Sequence, residues 1–511
     1  MAISFCYNEN GGSNMKIELI GALDYTKLKE ELKEKVENVD ELISILKNNE
    51  LERKVEIVST AGRLSRNPGT VFDVLATAEN NPLEKNLSFI KRVVKMGHDS
   101  ITDHDYCVFA IENVSPVIEQ TIIAERFSSF TIKSRREVDF SKVGYYIPDF
   151  HNKNGELLEN NEQIKEEYIN HENSLFADYE KLVSLGVPLE DARFVLPYSY
   201  YSNIIMGVDA HTLKDMIVKY TKTKYSKITE IREFGEILYE IAKKEVPFII
   251  DEIDKIEVCL EDSVEQYLHE KIADRSYQVL DKPKLLSHSS DVDDTILLSA
   301  IMRRYQFDQE KAKKVYKLLS EDKEFKQELM RKIAFESDKL ELSQVSFEFQ
   351  IPLSFAILTH LTRHRTHHIM VPDFSPIVDL TQYKVPPKIK SICKETFDAI
   401  FTKNLNMYNH FKEDYEIREE DLIYFTLSGN MVNVITNMDG KTVEHILRLR
   451  ECTKAQWETR NMANGIHNEI RSLPDARCFS NILGPTCETQ RFCKEGKESC
   501  GKILKLIKNE E

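Results

Sequence analysis

Charged stretches with apolar residues recurring at helical spacing dominate the chain. TKLKEELKEKVENVDELISILKNN from Thr26 and EKAKKVYKLLSEDKEFKQELMRKI from Glu310 each predict an amphipathic surface helix. Two short β-like runs interrupt the pattern, YCVFAI (Tyr106 to Ile111) and VSFEFQI (Val345 to Ile351). A proline and then an apolar helical stretch follow each run. Breakers are scarce, with 15 Pro and 17 Gly, so the elements are long. The pattern predicts a helix-rich α/β (α+β) fold.

The pattern also repeats. GVPLEDARFVLPYSYYSNIIMGVDAHTLKDMIVKY from Gly186 aligns with EEDLIYFTLSGNMVNVITNMDGKTVEHILRLR from Glu419, which sets Asp209 against Asp439. Further on, Glu230-Ile231-Arg232 meets Glu458-Thr459-Arg460, and upstream Arg126 meets Arg365. The offsets are 230, 228 and 239 residues, a drift that fits an old duplication with small insertions. Two tandem copies are therefore expected at 15–265 and 283–476, with a cysteine-bearing tail at 477–511. The seam falls around Leu268 to Lys284, and KPKLLSHSSD reads as the first strand of copy two.

Length and composition narrow the class. A chain of 511 residues suggests two to four domains, and 41% apolar residues suffice for real cores. The net charge of −16 argues against non-specific binding to nucleic acid or an anionic membrane. No apolar run approaches the roughly 20 residues of a membrane span. The start, MAISFCYNENGG, lacks the basic and apolar regions of a secretory signal, and nine cysteines are too sparse for a disulfide scaffold. A cytoplasmic location is expected.

The densest candidate chemistry is LTRHRTHH, Leu361 to His368, directly after the apolar stretch IPLSFAILTH. Neighbouring helical residues project about 100° apart, so Arg363, His364 and Arg365 can fan around a ligand at a helix end. Arginine offers a fixed fork of donors suited to phosphate or an electron-rich ring. From spacing alone a solvated basic turn is the simpler reading. A zinc site of His364, His367 and His368 is a third, weakened by the absence of H-E-x-x-H spacing. In the tail, Cys478, Cys487, Cys493 and Cys500 fall within one Gly-Pro-containing segment. They suit zinc or an iron–sulfur cluster, with unpaired thiols as the alternative, since the spacings are not those of C-x2-C knuckles. Trp457, the only tryptophan, reads as packing.

RHR after an apolar helix resembles the start of the signature RHRxxSxNExSxRY of the flavin-dependent thymidylate synthase family. Copy two departs from it after Arg365, reading His368, Met370, Val371, Asp373 and Ser375 at the later motif positions. Copy one reads AERFSSFTIKSRRE: Ala124 and Glu125 replace the first two residues, Arg126, Ser129, Ser134 and Arg136 remain, and Ile132 replaces the glutamate. GHDSITDH (Gly97 to His104) is similar to the family's GHxSxxEH, EDARFVLP (Glu190 to Pro197) to its ARxVLP, and AGRLS (Ala61 to Ser65) to its AARxS. LRLRECTKAQWETR (Leu447 to Arg460) is similar to LxLRxxxxAQWEIR. Together these cover about Met15 to Pro474.

The resemblance implies FAD held by Ser65, His98, Arg363, His364 and Arg365. It implies a uridylate held by Ser134, Arg136, Arg193 and Arg450, with Arg450 and Ser134 the candidate catalytic residues. Ser134 then serves as a hydrogen-bonding group, no Ser-His-Asp arrangement being readable around it. The implied reaction is reductive methylation of dUMP to dTMP, with methylenetetrahydrofolate as carbon donor and NADPH as reductant. Family members are homotetramers whose sites are shared between subunits. Here copy two keeps one set of site residues and copy one the other, which implies one composite site per pair of copies. Association of the two copies is expected, and a homodimer is a further option. Incomplete signatures in both halves leave two rivals: a non-catalytic flavin- or nucleotide-binding relative, and one-carbon transfer to another pyrimidine nucleotide.

Overall fold

The computed structural model describes residues 15–22, 39–274, 276–372 and 379–508. They form two compact units. Unit 1 comprises Met1–Leu189, Val195–Arg275 and Thr402–Thr426; unit 2 comprises Glu190–Phe194, Ser276–Phe401 and Leu427–Glu511.

Each unit is built on a four-stranded antiparallel sheet flanked by helices. In unit 1 the strands are β1 (Lys16–Ala22), β2 (Tyr106–Val114), β3 (Ser129–Ile132) and β4 (Ser202–Asp209), in the order β1-β2-β4-β3. Unit 2 holds β5 (Lys284–His288), β6 (Ser346–Ser354), β7 (His368–Met370) and β8 (Met431–Asp439), in the order β5-β6-β8-β7. The two orders are the same, and the fold is α+β with two tandem copies of one domain. Details repeat as well. The first strand of each sheet carries a register shift, at Leu19/Gly21 and at Leu285/Ser287. Asp209 and Asp439 each end the last strand and cap the next helix, accepting from Thr212 N at 2.8 Å and Thr442 N at 2.7 Å.

Alternation makes the strands amphipathic: Cys107, Phe109 and Ile111 of β2 are buried, as are Phe347, Phe349 and Ile351 of β6. β6 runs on through Pro352. That position lies beyond Gln350, the last residue of β6 that β5 pairs, and opposite Asn433 of β8. The helix expected from Thr26 is seen as Val39–Leu64, and residues 26–38 lie outside the described residues. The stretch from Glu310 is two helices, Gln309–Leu319 and Lys323–Phe335. The break comes at Asp322, whose carboxylate accepts from Glu324 N at 2.9 Å and starts a new helix.

A buried carboxylate closes each unit at the corner where the second strand turns into its helix. In unit 1, Ser115 N donates to Glu230 Oε1 at 2.8 Å, and the Ser115 and Tyr424 hydroxyls both donate to Oε2. In unit 2, Ser354 N and Oγ donate to Glu458 at 3.0 and 2.6 Å. Both glutamates are inaccessible or nearly so, at 0% and 5% exposure.

Burial pushes Glu230 up to about 7, outweighing the Ser115 and Tyr424 bonds that favour its charged form. Burial likewise carries Glu172, which accepts from Ser199 Oγ, up to about 8. A carboxyl with a raised folded pKa binds its proton more tightly folded than unfolded. Its contribution is complete below the ordinary 4.5 and is lost as pH rises through the folded value. Denaturant unfolding should therefore show stability falling between pH 5 and 8. Glu230→Gln should remove up to about 3 kcal/mol of that fall between pH 5 and 7.5. The same pH slope in variant and wild type would show that Glu230 is not the titrating group.

Candidate functional site

The RHR segment of unit 2 begins where the apolar helix Phe355–Thr362 stops. All its residues but His360 are buried, so the helix is a core element and its end is fixed. Arg363 is the C-cap, and Arg363 and Arg365 are exposed while His364 and His367 are buried. His367 is held between Thr436 Oγ1 at 2.6 Å and the Leu361 carbonyl at 3.2 Å. It is a core histidine. The three-histidine zinc reading therefore gains no support: among the described residues, the one group of three or more ligand-type side chains at single-ion distance is Glu336, Asp338 and Glu341. Arg303 and Arg304 already pair with those carboxylates.

Arg450, the last residue of the helix Gly440–Arg450, meets this corner. Its Nε–H donates to His364 Nε2 at 2.9 Å and its NH2 to the His360 carbonyl at 3.2 Å. A guanidinium only donates, so His364 must present an unprotonated Nε2. Burial first, then the charges of Arg450 and the neighbouring His445, hold His364 down to about 3. His364 is neutral at physiological pH, and the positive charge of the corner belongs to Arg363, Arg365 and Arg450.

Copy one keeps part of this geometry, and Arg126 at the position of Arg365, but fills the positions of Arg450 and His364 differently. Tyr220 stands where copy two has Arg450, and its hydroxyl donates to the Thr121 carbonyl at 3.2 Å. Thr121 is the counterpart of His360, so one hydrogen bond is kept with a phenol in place of a guanidinium. Glu125 stands at the position of His364 and accepts from Lys219 at 2.8 Å. Tyr220 is fully buried.

Arg193 lies in unit 2 although it belongs to copy one. The segment Glu190–Phe194 is secured there by three contacts. Trp457 Nε1 donates to Asp191 Oδ1 at 2.8 Å, the Trp457 and Phe194 rings stack at 6.0 Å, and Gly429 N donates to the Phe194 carbonyl at 2.7 Å. Trp457 thus packs, as the sequence suggested. Arg193 is 2% exposed, with Nε on the Glu190 carbonyl at 3.1 Å. Its charge helps to hold down the carboxyl of Glu458, which burial raises. Next to Glu458, Thr459 Oγ1 bonds His360 Nδ1 at 2.9 Å, and the His360 carbonyl is the acceptor for Arg450. Arg450 therefore bonds the His360 end of the run Glu458, Thr459 and His360, and Arg193 acts through space on its Glu458 end, less strongly than Ser354 and Lys384. In unit 1 the reciprocal segment holds Ile423, 4% exposed, and Tyr424, whose ring lies against that of Tyr146 at 4.9 Å with the planes tilted by 43°.

The remaining candidates belong to unit 1. Ser65 and His98 are exposed. Ser65 follows the helix Val39–Leu64, which packs on the turn Asp99–His104 that His98 precedes. Ser134 is exposed, and its Oγ accepts from Arg136 N at 3.3 Å within a turn. Arg136 is half-buried, whereas its neighbour Arg135 is buried against Glu119 at 2.9 Å. Ile132, at the motif glutamate, is buried, and Asp373 and Ser375 lie outside the described residues. In the tail, Cys487, Cys493 and Cys500 line one pocket with Cys452. Cys478 is not in its wall; its N–H donates to Asp293 at 2.8 Å. His360, His445 and Glu458 were not singled out from the sequence; His364 lies past the helix end at Thr362, so its spacing from His360 is no helix-face signal.

The sequence profile of the thymidylate synthase complementing protein family, Thy1, matches residues 44–248 and 284–473, and the chain belongs to that family. Individual relatives align over about a third of the chain. The flavin-dependent thymidylate synthase of Thermococcus onnurineus is 30% identical over 161 residues, 30% of this chain and 62% of the relative. That of Pyrococcus furiosus is 29% identical over 170 residues, covering 32% and 66%. That of Clostridium tetani is 30% identical over 186 residues, covering 33% and 74%. The first two matches thus span less than two thirds of the relatives' own length. Among the described residues no helix is long and apolar enough to cross a membrane.

As the only tryptophan, Trp457 reports directly on the docking of Glu190–Phe194. Asp191→Ala removes a partly buried, charge-assisted bond worth about 1.5–3 kcal/mol and should shift the emission maximum and raise quencher access. Emission and quenching identical to wild type would show that the segment is not seated on Trp457.

Proposed function

We propose that the chain is a flavin-dependent thymidylate synthase-type enzyme that converts dUMP to dTMP with FAD, methylenetetrahydrofolate and NADPH. The observation that carries this reading is the gathering of Arg193 from copy one and Arg450 from copy two around Glu458, Thr459 and His360. A uridylate phosphate needs converging cations, and two arginines held by buried partners meet that need with little loss of side-chain freedom.

The donor set at the RHR corner also suits FAD. Arg363 and Arg365 are exposed donors at a rigid helix end, and the neutral His364 between them adds an imidazole without adding charge. The flavin would supply the reducing equivalents, while this chain binds and orients the reactants. Arg450 is then held by His364 and the His360 carbonyl for the nucleotide. Ser134 and Arg136 join the nucleotide set by resemblance alone. The counterpart positions in copy one, Tyr220 and Glu125, and Ile423 in copy two, offer no matching cation. One site per chain, drawing on both copies, follows.

The loss of the signature glutamate favours the rival of a non-catalytic binder, and turnover separates the two: dTMP formed from dUMP with FAD, methylenetetrahydrofolate and NADPH supports the enzyme, whereas binding of flavin and dUMP without product supports the rival. Purified protein should show flavin absorption bands, and Arg363→Ala or Arg365→Ala should weaken flavin retention without unfolding the chain. A colourless protein that FAD cannot reconstitute would exclude a flavoenzyme.

Nucleotide binding gives the sharper test. Each charge-assisted contact is worth roughly 1.5–3 kcal/mol, so Arg136→Ala, Arg193→Ala and Arg450→Ala should each weaken dUMP binding at least about tenfold. Ile423→Ala should leave the affinity within about twofold. Unchanged affinity in Arg193→Ala would refute a site drawing on both copies.

A further inference from the structure

We propose a metal centre held by the thiolates of Cys452, Cys487, Cys493 and Cys500, stapling the C-terminal tail to the loop that follows Arg450. These four cysteines line one pocket in unit 2 with Thr453, Lys454, Ser499 and Lys502. Three come from the tail. The fourth lies thirty-five positions earlier, two residues after Arg450. Local spacing along the tail therefore does not explain the convergence; the fold brings Cys452 in and leaves Cys478 out.

The surroundings suit a thiolate-bound cation. Zinc with four thiolates carries a double negative charge, as does an oxidised four-iron cluster; the pocket wall holds Lys454 and Lys502, paired with Glu498 and Glu488, beside Glu451 and Glu495. Tight turns shape the tail: Gly496 and Gly501 adopt φ of +52° and +79°, and Gly501 directly follows Cys500. The tail is anchored by buried Phe479, Ile482 and Leu483, but beyond them Phe492 and Leu504 are exposed. A cross-link there would replace the hydrophobic packing that the segment lacks.

No three of the four sulfurs lie within 4.8 Å of one another. Four thiolates around a zinc ion, at about 2.3 Å each, sit roughly 3.8 Å apart. Closure on one ion therefore requires the side chains to rotate between staggered positions, whereas an iron–sulfur cluster meets ligands at wider separation. Both sources share the chemistry of four thiolates on a thiophilic metal.

The test uses the full chain, purified anaerobically without chelator and analysed for zinc, iron and acid-labile sulfide. About one zinc per chain supports the single-ion form, and iron with matching sulfide supports the cluster. Metal-free protein is titrated with Zn2+ alone under reducing conditions; uptake of one equivalent supports the site, and no uptake overturns it. Cys452→Ser and Cys493→Ser should each lose the metal, while Cys478→Ser should keep it. Equal loss in all three variants would overturn the ligand set. Should the first two prove insoluble, alkylation of the wild type decides. The four thiols should be protected until a strong chelator is added, and immediate labelling of all four in metal-loaded protein would overturn the centre. Because flavin and nucleotide binding are not used as readouts, failure here leaves the enzymatic reading untouched.

Discussion

A carboxylate buried at the corner between a strand and a helix organises each half of this chain. Glu458 accepts both the backbone N–H and the hydroxyl of Ser354, at the point where β6 turns into Phe355–Thr362. A buried carboxyl without such partners would cost several kcal/mol, so the strand end and the glutamate helix must remain in register. That register has consequences two turns away. It sets where Phe355–Thr362 ends, and so where Arg363, His364 and Arg365 emerge. Through the adjacent Thr459 it also fixes His360, whose carbonyl receives Arg450. The corner therefore aims the cations of the site, although it contains none of them.

The same corner in unit 1 is surrounded by different side chains. Glu230 and Ser115 reproduce the clamp, and Arg126 keeps the arginine of Arg365, yet the positions of Arg363, His364 and Arg450 are differently filled. Tyr220 replaces Arg450 while preserving its bond to a helix carbonyl, and Glu125 replaces His364 and pairs with Lys219. The exchanged segments diverge in parallel: Arg193 is held in unit 2, and Ile423 is buried in unit 1. Backbone contacts are conserved between the copies, and side-chain chemistry is not.

Much of this was legible in the sequence, for definable reasons. β2 and β6 announced themselves by alternation, and the drifting offsets of the repeat match the two serine–glutamate corners, 239 residues apart at the serines and 228 at the glutamates. The RHR corner was visible because charge after an apolar helix is unusual. Other features were not read, one of them local and the rest set by tertiary contact. The Asp322 cap splits a single amphipathic pattern into two helices. Nothing in AGRLS or GHDSITDH reveals what faces Ser65 or His98. The grouping of cysteines was read from proximity along the chain, which admitted Cys478 and missed Cys452. His360 and Glu458 act through other residues, so their types alone did not single them out.

The burial of Arg193 gives the asymmetry between copies a physical direction. Arg193, at 2% exposure, donates to the Glu190 carbonyl and lies near the carboxyls of Asp191 and Glu458. At the equivalent place in unit 1 the isoleucine Ile423 fills the space with apolar contact. An arginine that also served an anionic ligand would give the first arrangement a use that the second lacks, in keeping with the function proposed above. The identical logic applies to Arg450 against Tyr220, where a phenol keeps the structural bond without the charge. Two independent positions in separate elements thus resolve the same way: the charged member of each pair lies in unit 2, around Glu458.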